Sequence, residues 1–93
     1  MATSIIQKER ECIVCKTIYN LHKHHCIYGA ANRKLSEKYG LTVWLCSRHH
    51  NGSDYGVHFN KELDRKLKRL AQTKFEETHS REEFMQIFGR NYL

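Results

Sequence analysis

Two short ligand pairs constrain this chain more than anything else in it: Cys12-x-x-Cys15 and Cys46-x-x-His49. Each pair, at that spacing, can close one edge of a tetrahedron, and thiolates with an imidazole suit zinc. An ion held by four protein ligands has no coordination position left for a substrate, so it is expected to be structural. Whatever the fold, residues 12–15 must then sit against residues 46–49, and His50, the next residue, is fixed in space with them. Cys26 is an alternative fourth ligand in place of His49; otherwise it reads as a small buried apolar residue. A chain of 93 residues has only a small core, and a structural metal contributes folding free energy where hydrophobic burial falls short.

The rest of the chain reads as one α+β domain with no proline, repeat or low-complexity boundary. Residues 1–11 are expected to form a loosely held arm, 12–60 the metal-stapled core and 60–93 a helical extension. "CIVCKTIYNLH" suggests a knuckle followed by a short strand, and "HHCIYG" and "LTVWLC" read as two strands. Between them "AANRKLSEKYG" predicts a helix closed by Gly40. "SRHHNGSDYG" is rich in turn formers and reads as a loop or short helix. Beyond it Phe59, Leu63, Leu67, Leu70, Ala71 and Phe75 recur at three- and four-residue steps, which predicts a helix capped by Asn60. Ser80-x-x-Glu83 is a capping box ahead of a last helix that packs Phe84, Ile87 and Phe88 onto the long one.

Charge narrows the partners. Sixteen Lys and Arg against ten Asp and Glu give a formal charge of +6, which favours a polyanion: neutralising phosphates releases condensed counterions. Charge alone does not choose among DNA, RNA and an anionic membrane. No stretch approaches the roughly 20 apolar residues of a bilayer span, and the N-terminus lacks the apolar run of a signal peptide. A cytoplasmic location is expected, where the four cysteines remain thiols.

"CIVC", "HKHHC" and "LCSRHH" together resemble an HNH endonuclease, in particular small phage-borne HNH proteins reading "HH…G…NR…SE…G…LC…HH…G…H". The resemblance spans roughly residues 12–60 and implies a ββα-metal core that hydrolyses DNA phosphodiester bonds, in a bacterial host cell carrying a phage or prophage. Carried over, it implies His25 as the general base that activates a water, with His24 and His50 as ligands of a catalytic divalent ion. A neutral imidazole can accept a proton near neutral pH. The ion would be magnesium, or another divalent such as manganese or nickel. His58 is a third candidate ligand, although it reaches the ion only if "NGSDYG" folds back. Where the family has its middle Asn this chain has Leu41 and Thr42, with Asn32 and Asn51 as possible substitutes. His24 and His25 point to opposite faces in a regular strand, so both can serve one site only from a strand end or a bulge.

Arg33, Lys34, Arg48 and the run "KELDRKLKR" read as a solvated basic face, still able to position a phosphate backbone, with Asn32, Arg33 and Arg48 as its candidate phosphate or structural contacts. His22 and His79 read as solvated side chains. The rival reading is a zinc-stapled nucleic-acid-binding or protein-interaction module without catalysis. A hydrolase using Cys26 as nucleophile would need an oxyanion loop and an orienting acid, and neither is evident in the sequence. A homodimer, or a phage or host partner, would be needed to cut both strands.

Overall fold

The computed structural model describes residues 4–29, 31–51 and 60–93, with Asn51 described for its backbone alone. It is a small mixed α+β structure: strand β1 (Leu21–His25), helix α1 (Asn32–Tyr39), strand β2 (Thr42–Cys46), helix α2 (Ser47–Asn51), helix α3 (Lys61–Phe75) and helix α4 (Arg81–Phe88). The strands pair antiparallel without a break in register, from Leu21 opposite Cys46 to His25 opposite Thr42.

β1 lies earlier than expected. It takes in "LHKHH" and stops where "HHCIYG" was expected to begin its run. The reason is a clamp from α1: the buried Ser36 hydroxyl accepts from the Ile27 N–H at 3.2 Å and donates to the Ile27 carbonyl. The Cys26 N–H still bonds Leu41 at 3.0 Å, so Cys26 and Ile27 enter the core while the chain turns away at Gly29, whose φ of 108° is open to glycine. The short strand expected directly after the knuckle is displaced as well. Lys16 and Asn20 both adopt positive φ, and residues 16–20 run into β1 without regular structure, bending at 19–20.

α1 ends where Gly40 adopts a left-handed conformation, φ 73°, the geometry of a glycine C-cap. α3 starts at Asn60, whose side chain accepts from the Leu63 N–H at 3.1 Å. α4 starts on the full Ser80–Glu83 capping box. Leu67, Ala71 and Phe75 of α3 meet Phe84 and Phe88 of α4, and these join Cys26, Leu41 and Val43 in one apolar cluster. The Phe75 and Phe84 rings meet edge-on at 5.4 Å, a favoured aromatic geometry.

The N-terminal arm is not loose over its described residues. The Ile5 N–H bonds the Gly40 carbonyl at 2.9 Å, the Ser4 hydroxyl donates to Thr42 at 2.6 Å, and the Trp44 N–H donates to the Gln7 side chain at 2.8 Å. The last two satisfy outward-facing groups of β2, which otherwise has a partner on one side alone. Among the described residues no helix is long and apolar enough to cross a membrane.

Candidate metal corner and histidine cavity

Cys12 and Cys15 sit on a turn closed by Lys16 N–H to Cys12 carbonyl and Cys12 N–H to Thr17 carbonyl, both 2.8 Å. The Ile13 N–H bonds the Trp44 carbonyl at 2.9 Å, which presses this knuckle against the end of β2. Cys46 is the last residue of β2, and α2 begins at once, so His49 returns to the same corner one helical turn later.

The ligand atoms of Cys12, Cys15, Cys46 and His49 all lie within 4.8 Å of one another. Cys15 Sγ is 3.8 Å from Cys46 Sγ, and His49 Nδ1 is 3.2 Å from Cys46 Sγ and 3.6 Å from Cys12 Sγ. Zinc–ligand bonds of about 2.3 Å to sulfur and about 2.0–2.1 Å to nitrogen, at a tetrahedral angle, give edges of about 3.8 Å and about 3.5 Å. The donor set and its spacing therefore fit a metal ion such as zinc.

The thiols are tuned in opposite directions. Burial pushes Cys12 up, but backbone N–H groups of Cys15, Cys46 and Val14 outweigh it and bring Cys12 from 9.0 to about 6. Cys15 is lowered by its backbone bond to Thr17, yet burial and the neighbouring Cys12 and Cys46 raise it overall. Crowded thiolates repel, and a bound cation relieves that repulsion. Cys26 stands outside the four: it is fully buried, and burial, followed by Asp64, pushes its thiol up to about 12. An inert buried thiol is neither a ligand nor a nucleophile.

His50 follows His49 on α2 and faces elsewhere. Together with His24, His25, Lys23, Tyr28, Gly29 and Arg33 it lines a cavity of about 500 Å³. His24 is buried next to the last residue of β1 and its ring centroid lies 5.6 Å from that of His50. His25 is the last residue of β1, so the two neighbours reach one cavity from a strand end, with no bulge. His22, two residues before His24, is on the same face. Its Nδ1 lies 3.1 Å from His50 Nδ1, so the reading of His22 as a solvated side chain is corrected: it belongs to this group. Period-two alternation along β1 is the signal that could have found it.

An acid missed in the sequence completes the surroundings of His25. Glu37 Oε1 lies 3.0 Å from His25 Nε2 and 3.5 Å from Lys23 Nζ. The His25 bond, helped by Lys23 and opposed by burial, holds the Glu37 carboxyl below its ordinary 4.5. An ionised carboxylate only accepts, so His25 Nε2–H is the donor.

The remaining candidates divide. Arg33 lines the cavity. Asn32 does not: its amide donates to the Phe88 carbonyl at 3.4 Å and ties α1 to α4. Arg48 is exposed and is not among the cavity's lining residues. Leu41 and Thr42 are both buried. His79 stacks on Phe75 at 4.3 Å, so it packs as part of the helical region. His58 and the Asn51 side chain lie outside the described residues.

Comparison with protein-family models, with curated proteins and with solved structures finds no match.

Proposed function

We propose that this chain is a metal-dependent endonuclease of the HNH kind, hydrolysing DNA phosphodiester bonds in the histidine cavity. The observation that carries the reading is the meeting of His24 and His25, from the end of β1, with His50, from α2, in one cavity that also holds Lys23 and Arg33. The thiolate corner supports it from behind. By seating His49 it fixes its neighbour His50, and as a closed four-ligand site it takes no part in the reaction itself.

The Glu37 carboxylate accepts from His25 Nε2–H and selects the tautomer whose Nδ1 carries the lone pair. That nitrogen is suited to take a proton from a water positioned for attack. Lys23 and Arg33 supply positive charge to hold the scissile phosphate in line. The His22 and His50 imidazoles would be the donors for a divalent ion, with His24 beside them, its ring centroid 5.6 Å from that of His50. Two nitrogens bound to one ion at a tetrahedral angle stand about 3.3 Å apart, close to the 3.1 Å between His22 and His50. When bound, the ion would stabilise charge on the phosphate and the leaving oxygen. Imidazoles without a carboxylate favour a first-row transition ion such as nickel over magnesium.

A second reading is a zinc-stapled nucleic-acid-binding module without catalysis. It is favoured by the burial of Leu41 and Thr42, 0% and 4% exposed, where the family carries its Asn. One experiment separates the two. Supercoiled plasmid is incubated with the protein and magnesium, manganese or nickel, with a chelated control, beside a His25→Ala variant of unchanged zinc content. Nicking that falls by about 10²–10⁴-fold in the variant is expected; binding without nicking under every ion would establish the module instead.

A further inference from the structure

A second cavity, of about 550 Å³, opens on the other side of Tyr28, which lines both. Its charge is one-sided. Lys61, Arg65, Lys68 and Arg90 border it with one carboxylate, Asp64. Asp64 is taken up by Lys68 at 2.8 Å. Lys61, Arg65 and Arg90 have no carboxylate partner among the described residues.

This cavity is built and is more than a run of surface charge. The Lys68 ammonium stands 4.5 Å from the Tyr28 ring centroid and 5.5 Å from that of Tyr92, which holds the two aromatic walls on either side of it. The C-terminal tail that carries Arg90 and Tyr92 is fixed by Gln72, a fully buried amide of α3. Gln72 accepts from the Tyr92 N–H at 2.7 Å and donates to Asn91 Oδ1 at 2.8 Å. The Arg90 guanidinium lies 5.4 Å from the Tyr92 ring. Cations from the start of α3 and from the end of the chain thus converge beside the histidines.

We propose that this cavity seats a backbone phosphate of the nucleic-acid strand, flanking the phosphodiester presented to the histidine cavity, with Lys61, Arg65 and Arg90 as its donors. The proposal rests on the reading of the histidine cavity as a phosphodiester site. A strand leaving that cavity past Tyr28 meets these three cations next. Contacts of this kind set position and register and carry no sequence information.

The test is fluorescence anisotropy of a labelled 20-base-pair DNA duplex against the full zinc-loaded chain carrying His25→Ala, without added divalent ion, over a series of salt concentrations. Arg65→Gln with Arg90→Gln is compared with Lys66→Gln with Lys74→Gln, which removes the same charge from α3 away from the cavity. Each lost phosphate contact lowers the salt slope by about 1. The first double variant is expected to lose about 1 in slope, for the one phosphate seated there, and about tenfold or more in affinity at 0.1 M salt, and the second to lose much less. Equal losses in the two pairs would overturn the proposal. A wild type that nicks DNA while the two pairs bind alike sinks the phosphate seat alone. A slope loss confined to the first pair, with a wild type that never nicks, keeps the seat and removes the nuclease.

Discussion

His49 and His50 are neighbours on one short helix, yet they serve two differently built regions. His49 closes a corner of three thiols with spacing that matches a tetrahedron. His50 looks across an open cavity at other imidazoles and at cations. The first region is a set of four protein donors that could bind a metal ion such as zinc and would leave it no position for anything else. The second keeps room for a ligand. The difference shows how a chain with a small core can afford an open site: rigidity is supplied next door, through the backbone of α2.

The largest effect is expected where the closed corner is broken. Cys46→Ser, or removal of the ion by a strong chelator, should abolish cooperative unfolding in a thermal melt followed by circular dichroism. Structural zinc contributes about 10–16 kcal/mol of apparent free energy, against a total stability of about 5–15 kcal/mol for a typical domain. A stripped chain that melts like the loaded one would erase the distinction between the two regions.

His50→Ala sharpens it from the other side. Zinc content by atomic absorption should stay at one per chain and the melting temperature should shift little, since His50 is not one of the four corner ligands. Plasmid nicking should fall by about 10²-fold or more. Loss of zinc together with activity would mean that the two regions are one.

Glu37→Gln should act more gently, lowering kcat by about tenfold, less than the full contribution of a general base, with KM little changed. The stability linkage has a definite sign. Glu37 is depressed by its bond to His25, so the pair contributes fully above pH 4.5 and is lost as the pH falls through the lowered value. Melts of wild type and variant should differ at neutral pH and converge in acid.

Local signals in the sequence were strong where chemistry is local. The doubled ligand spacing, Gly40, Asn60 and the Ser80–Glu83 box each name one backbone event, and each occurs where its residues stand. Events that depend on distant partners were hidden. β1 ends early because Ser36 clamps Ile27, and no propensity at residues 24–29 reveals a hydroxyl nine residues on. Glu37 reads as an ordinary helix acid until α1 packs beside the strand end and brings it to His25. His22 was passed over because its significance lies in a pairing with His50, twenty-eight residues away. The proposed roles of His24, His25 and His50 came from resemblance, and their meeting in one cavity is what the fold adds.

The strap at the start of the chain has a consequence beyond tidiness. Ser4, Gln7 and Ile13 occupy the Thr42 carbonyl and both backbone groups of Trp44, the groups through which an apolar stretch such as "TVWLC" would template another strand. Bare edges of that kind promote aggregation. Ser4 and Gln7 ahead of the first cysteine, and Ile13 just after it, therefore act as a guard that keeps separate copies of the molecule from zipping together.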